Sequence, residues 1–395
     1  VAENRGFEQA FRPRRNDAHF SVRREIGRGR APSLAIVAPF STRAALGFRI
    51  FNIAKQLKTK PEVIVFHEQD RYGKSGKLYP QQKNLWWKKS FFLIPIHRLQ
   101  IIKWAWNCDT VYFFKPLPLN FCAAWPLRLL GKKVIFDYDE WEPYTQEEYV
   151  KASGVRNTVV THMLDAIGRW CAKIACCITT SNSRINDDIL HKEKCLLMPN
   201  GVSYEEYATT GGKRRPFELK KEVAYAGSLH YASLLLPFLL QVPHGFKLHI
   251  YGEGIACAEI EYALRQKGVD YVRHGYLKPG EMAQELKKFR GIFLAPYLPL
   301  RNIAYSSAGK LPQYMALGQP VILSNVEGPT DYLMGKDCAY LVEPGQERTI
   351  GKLILEIYED KKGAEKKVRV AQQIVRDNFD WKRMCEKLEK FVREC

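Results

Sequence analysis

At 395 residues, 46% hydrophobic and 26% charged, with 27 glycines and 21 prolines, the chain has ordinary globular composition, which excludes collagen-like, low-complexity and wholly disordered classes. Its length predicts two domains, each large enough to bury a core of its own. Sixty-one Lys and Arg against 42 Asp and Glu leave a net charge of +19, which favours a polyanionic partner: nucleic acid, an anionic membrane surface or a phosphorylated ligand. The ten cysteines are too sparse for a disulfide scaffold, and Cys176-Cys177 has no metal-ligand spacing, so they read as buried thiols of a reducing compartment. No apolar run approaches the ~18 residues of a membrane span, and Val1-Ala2-Glu3-Asn4-Arg5 opens no signal-peptide core. A cytoplasmic location is expected, with contact to a membrane surface left open.

Residues 1–32 are Arg-rich without apolar periodicity and read as a basic, flexible leader. Leu34–Ala38 is then a short apolar run, followed by an amphipathic segment carrying Phe48, Ile50, Phe51, Ile53, Ala54 and Leu57: strand, loop, helix. Further runs at 63–66, 110–114, 134–136 and 176–180, several separated by helix-length segments, predict a parallel sheet covered on both faces. A stretch rich in Gly, Lys, Arg and Tyr over 201–221 reads as a linker. The strand–helix rhythm restarts at Glu222 and recurs at 247–251, 271–272, 291–295, 320–323 and 339–342. Helical periodicity then runs to the end, with Asp380 placed to cap a last helix opening at Trp381. The expected division is 33–200, an N-terminal Rossmann-like domain facing acceptor and membrane; 222–376, a C-terminal Rossmann-like nucleotide-sugar-binding domain; and 377–395, a helix crossing back to the first.

The most informative segment runs from Tyr305 through Ser306, Ser307, Gly309, Lys310, Leu311, Pro312 and Gln313 to Pro320-Val321-Ile322. A small-residue loop leads into a helix whose first turn tolerates Pro312, and free amides with the Lys310 charge suit a phosphate. Gln313, three residues on, offers an amide to ribose hydroxyls. The same residues read as readily as a capped helix packing Leu311, Met315 and Leu317.

With Met198-Pro199-Asn200-Gly201-Val202, Ala224–Leu229, Ile250–Gly254, His274–Leu277, Ala295-Pro296-Tyr297 and Phe379-Asp380-Trp381 standing in order around it, this segment resembles the GT-B glycosyltransferases of the family-four-like, group 1 type. The resemblance implies an α/β fold of two doubly wound Rossmann-like domains with parallel sheets facing across a cleft. It also implies a nucleotide-sugar donor, expected to be UDP-linked, and no other cofactor or metal. Donor contacts are implied at Gly227, Ser228, Tyr251, Tyr276, Leu277, Ser306, Ser307, Gly309, Lys310 and Gln313, with Gly47 in the loop after the first strand, where a plain turn is an equal reading.

Two departures point away from a retaining mechanism. The Arg and Lys usual after the Gly227 strand are replaced by Ser228-Leu229-His230-Tyr231-Ala232, and the two acids usually separated by seven residues are replaced by Tyr305 and Gln313. Locally, Lys310-x-x-Gln313-Tyr314 is similar to the inverting xanthan-assembly β-glucuronosyltransferase. Val134–Tyr138 ends in carboxylates at Asp137, Asp139 and Glu140, and Asp139 falls where relatives carry an active-site His. Asp139 is the expected general base, with Glu140 as its alternative; helix capping and a DxD metal motif are the competing readings of Asp137 and Asp139.

Between Arg71 and Cys108 stand eight Lys and Arg, no Asp or Glu, and Trp86, Trp87, Trp104 and Trp106. This mixture fits an anionic membrane surface, or else a core helix with snorkelling lysines, or single-stranded nucleic acid. The expected function is sugar transfer onto a membrane-associated, lipid-linked saccharide in glycan or polysaccharide assembly, on the cytoplasmic face. The alternatives are a retaining enzyme and a non-catalytic binder of nucleic acid or sugar nucleotide. His67, His162 and His230 lack triad context and read as structural.

Overall fold

The computed structural model describes residues 34–38, 45–68, 82–87, 94–153, 158–210, 213–214, 217–277 and 279–395. The basic leader, Lys88 and Lys89 lie outside them, as do the side chains of Trp86 and Trp87. The chain divides into two compact units: Val1–Pro143 with Val155–Leu197 and Glu389–Cys395, and Tyr144–Gly154 with Met198–Leu388.

The first unit is built on seven strands, β1 (Leu34–Ala38), β2 (Glu62–Glu68), β3 (Gln82–Trp87), β4 (Thr110–Phe114), β5 (Lys133–Tyr138), β6 (Cys177–Thr180) and β7 (Cys195–Leu197), ordered 3-2-1-4-5-6-7. All pairings are parallel. The uninterrupted apolar runs of β1 and β4 are buried throughout, because crossover helices cover both faces. Right-handed crossovers put the helices Ile94–Ala105, Pro118–Leu129 and Thr158–Ile174 on one face, where the second packs against the first and the third. Gly168 in the last of these lets the buried Trp141 ring close on the helix, since a Cβ there would stand 2.8 Å from its Cη2.

In the second unit six parallel strands, β10 (Glu222–Ala226), β11 (Lys247–Tyr251), β12 (Tyr271–Gly275), β13 (Ile292–Ala295), β14 (Val321–Ser324) and β15 (Tyr340–Val342), are ordered 12-11-10-13-14-15. Alternate side chains feed two cores. Ala224, Ala226, Phe293, Ala295 and Leu323 face one, with the helix Leu311–Leu317; Val223, Tyr225, Leu248, Ile250 and Leu294 face the other. Earlier in the chain than β10, a short antiparallel pair, β8 (Thr209–Thr210) and β9 (Lys213–Arg214), follows the helix Tyr204–Ala208.

Three expectations change. The stretch expected as a linker contributes Val202 and Tyr207 to a core of the second unit, because its apolar residues find partners there. Cys177 and Cys395 form a disulfide in the first unit, where all ten cysteines had read as free thiols; the 218-residue separation hides this pairing from spacing rules. Gly47 lies inside the helix Ala45–Gln56 instead of a loop.

Asp380 takes up its expected cap, accepting from the backbone N–H of Lys382 and, at 3.1 Å, of Tyr204. Two ordered motifs meet here: Val202 N–H donates to Phe379 O at 2.9 Å and Trp381 N–H to Val202 O at 3.1 Å. Gly201 permits that approach, since a Cβ would stand 2.5 Å from Phe379 O.

Candidate functional site

In the second unit, Lys310 directly precedes the helix Leu311–Leu317. Its Nζ donates to Tyr225 Oη at 3.2 Å and lies 4.5 Å from the centre of the Tyr225 ring and 5.3 Å from that of Tyr297. Among the described residues no carboxylate pairs with it, and burial lowers its pKa to about 8. A cation held only by a hydroxyl and two ring faces keeps its charge available to an incoming anion. The Tyr297 hydroxyl beside it is buried with no hydrogen-bond partner.

Backbone approaches Lys310 from the end of β10. A Cβ on Gly227 would stand 2.8 Å from Tyr225 Oη and 3.2 Å from Lys310 Nζ, so the missing side chain keeps this corner open. Tyr225 Oη donates to Ser228 O at 2.9 Å, fixing the turn. Behind it, Gly252 has φ +128° and would place a Cβ 1.9 Å from Gly227 O, so the turns after β10 and β11 meet backbone to backbone. Carboxyl ends of strands are where open α/β sheets bind ligands.

The helix is locked to this corner by Tyr314, whose hydroxyl accepts from Ala226 N–H at 2.7 Å and donates to Ala226 O at 2.8 Å. Gln313, one residue earlier, is half-buried, and among the described residues its side chain makes no hydrogen bond. Ser307 is already engaged. Its Oγ accepts from Asn200 N–H at 2.7 Å and pairs with Tyr332, whose hydroxyl also donates to Asn200 O at 2.9 Å.

In the first unit the carboxylates at the end of β5 separate into two environments. Asp137 is fully buried: it accepts from Arg49 Nε at 3.0 Å and Nη2 at 2.9 Å, from Tyr112 at 3.1 Å and from Thr179 at 2.6 Å. These partners are all side chains, and among the described residues it caps no helix. Asp139 is 5% exposed; its Oδ1 makes no hydrogen bond and lies 3.6 Å from Lys115 Nζ, which also donates to Glu140 and Glu142.

Lys115 holds a φ of +63°, a costly conformation for a residue with a side chain, and buried Asn120 fixes the turn by donating to Phe114 O at 2.7 Å and Lys115 O at 2.9 Å. Burial pushes the Asp139 pKa up to about 8, Lys115 pulls it down, and Glu140 and Glu142 push it up again. Burial also raises Glu142. Burial alone would lower Lys115, but its three carboxylates outweigh that and leave it well above the ordinary lysine range. Oxygens of Asp139, Glu140 and Glu142 gather within 4.8 Å of one another, a spacing that suits a metal ion, and the Lys115 ammonium already serves them as cation.

With this geometry in view, residues 221–360 match the family model described as Glycosyl transferases group 1. Among solved structures, HepE of Anabaena superposes with a TM-score of 0.70 in its complex with UDP and 0.68 in its complex with UDP-glucose, at 13% identity, covering 92% of this chain and all of that one. The fold is GT-B. Sucrose-phosphate synthase from Thermosynechococcus elongatus gives 0.67 at 14% identity, covering 92% and 99%, and WaaG, a glycosyltransferase involved in lipopolysaccharide biosynthesis, gives 0.64 at 13%, covering 91% and 99%. At such identities the likeness is one of fold. No curated protein matches the chain in sequence.

Within this GT-B fold the structure brings Gly227, Ser228 and Lys310 to one corner of the second unit. Tyr251 is a buried strand residue whose ring stacks on His274 at 4.1 Å, and Tyr276 is largely exposed beyond it. Leu277 is half-buried and packs against the core that the Leu311–Leu317 helix also lines. Ser306 donates to Ile303 O at 3.2 Å, and Gly309 faces open space. His230 accepts from Ile255 N–H at 3.2 Å, a structural tie. Sequence reasoning passed over Tyr225 and Tyr297, although both stand inside quoted motifs. It missed Lys115 altogether, a lysine past a strand end with nothing in its neighbours to announce three carboxylates.

Proposed function

We propose that this protein transfers a sugar from a UDP-linked donor to an acceptor hydroxyl, with the donor diphosphate held at Lys310. The observation that carries this reading is a lysine ammonium enclosed by Tyr225 and Tyr297, with no carboxylate partner among the described residues, at a strand end opened by Gly227. Gln313 offers its amide to the ribose. The family match over 221–360 and the UDP complexes of HepE support the donor class.

The transfer is a single displacement. The acceptor oxygen attacks the sugar C1, its proton passes to the Asp139 carboxylate, the bond from C1 to the phosphate oxygen breaks, and that electron pair leaves on UDP. Lys310 stabilises the charge appearing there. Burial raises the Asp139 pKa to about 8, which makes its ionised form a stronger base, and its Oδ1, 3.6 Å from Lys115 Nζ, accepts no hydrogen bond. The acceptor is a lipid-linked saccharide at a membrane surface, in keeping with the +19 charge and the basic aromatic segment at 71–108.

The test is incubation with UDP-glucose, UDP-galactose and UDP-glucuronate beside GDP- and ADP-sugars, with NMR of the product anomer. Transfer from a UDP-sugar with inversion at C1 supports the proposal. UDP binding without donor cleavage under any acceptor makes the chain a binder, and retained configuration removes the single displacement.

A further inference from the structure

A surface helix normally turns its apolar stripe inward and its polar face to water. The three crossover helices on one face of the first sheet depart from this. Each buries a stripe, such as Leu119, Ala123 and Leu127 of the middle helix, yet also leaves large apolar side chains outside: Leu99 is 59% exposed, Trp106 55%, Trp125 46%, Leu129 74%, Val159 75% and Trp170 51%. These residues come from three neighbouring elements, so they are not one exceptional helix. Trp141 and Trp381 show the contrast, being fully buried.

The charge around them has one sign. From Ile94 to Lys133 the only acidic residue is Asp109, while Arg98, Lys103 and Arg128 are exposed. In the helix Thr158–Ile174 the single acid, Asp165, is paired with Arg169 at 2.9 Å, and Lys173 lies 5.1 Å from the Trp170 ring centre. Among the described residues no helix is long and apolar enough to cross a membrane.

We infer that this three-helix face docks on an anionic lipid bilayer, its tryptophans and aliphatic tips entering the headgroup boundary and its cations pairing with lipid phosphates. Tryptophan at a polar–apolar boundary beside Lys and Arg is the composition of an interfacial anchor. Pairing with a second copy of the same face would set cations against cations. Single-stranded nucleic acid would use the rings and the charge and would leave Leu99, Leu129 and Val159 in water. The inference deepens the proposed membrane-held acceptor, and its readout requires neither donor nor turnover.

The test is vesicle co-sedimentation of the full chain with phosphatidylcholine alone and with phosphatidylcholine containing phosphatidylglycerol. The expected result is at least ~10-fold stronger partition onto the anionic vesicles, lost as salt rises because the Debye length shrinks to ~3 Å at 1 M. Trp106→Ser, Trp125→Ser and Trp170→Ser together, and separately Lys103→Glu, Arg128→Glu and Lys173→Glu together, should each weaken it by ~10-fold while UDP affinity stays unchanged. Brominated lipid should quench the wild-type tryptophan emission, a readout that needs no variant. Unchanged partition in both triple variants overturns the inference. So does wild-type quenching by an oligonucleotide but not by vesicles, or a tryptophan-dependent dimer in sedimentation velocity without lipid.

Discussion

Lys310 and Asp139 carry opposite titration problems. Lys310 is useful to a diphosphate only while protonated, and burial brings its pKa down to about 8, so UDP affinity should fall as pH rises through 8. Between pH 7 and pH 9 the protonated fraction of the free protein drops about tenfold, and the dissociation constant from titration calorimetry should rise by a similar factor. Asp139 as a base works only when deprotonated, and its pKa is raised to about 8, so kcat should climb with pH and level off above 8. Asp139→Asn keeps size and polarity without basicity; single-turnover rates should fall at least ~100-fold with UDP affinity unchanged. Near-normal turnover would move the base to Glu140. Lys115→Met would strand three carboxylates around an apolar side chain, and denaturant titration should show a loss of about 3–5 kcal/mol.

At the scale of elements, two contacts decide how well helices hold their stations. Gly168→Ala would ordinarily favour a helix by about 1 kcal/mol, yet here the added methyl meets the buried Trp141 ring at 2.8 Å. Thermal unfolding should therefore show a destabilisation of ~1–3 kcal/mol, with the sign of helix propensity reversed. Most strand positions were legible because parallel strands covered on both faces are apolar throughout, as in Leu34–Ala38, whereas Gln82–Trp87, polar over its first three residues, and the three-residue Cys195–Leu197 were not read as strands. The helix after Lys310 was legible from the small-residue loop and Pro312 in its first turn, and the structure ends it at the αL glycine Gly318, with φ +72°. What stayed hidden were pairings across sequence distance: Arg49 with Asp137, Lys115 with the carboxylates after β5, Cys177 with Cys395. No local pattern encodes these, because each partner looks ordinary in its own segment. The same holds for Ser307, whose small-residue context suggested phosphate while its hydroxyl serves Asn200 and Tyr332.

For the whole molecule, six short motifs in order pointed to the GT-B fold before any coordinates, and the structure explains why order outweighs any one of them. Met198–Val202 and Phe379–Trp381 are far apart in the chain and hydrogen-bond to each other, so they were legible as fold rather than chemistry. Ala224–Leu229, Ile250–Gly254 and the Lys310 loop converge on one strand-end corner, so they were legible as a site. The measurement that bears most directly on that site is calorimetric titration of UDP into wild type and Lys310→Ala at pH 7. Loss of a charge-assisted contact predicts a binding deficit of about 1.5–3 kcal/mol, roughly a 10- to 150-fold weaker dissociation constant, with the unfolding midpoint unmoved. Equal UDP affinity in the two proteins would remove Lys310 from the donor site, and with it the proposal that this corner binds the donor diphosphate.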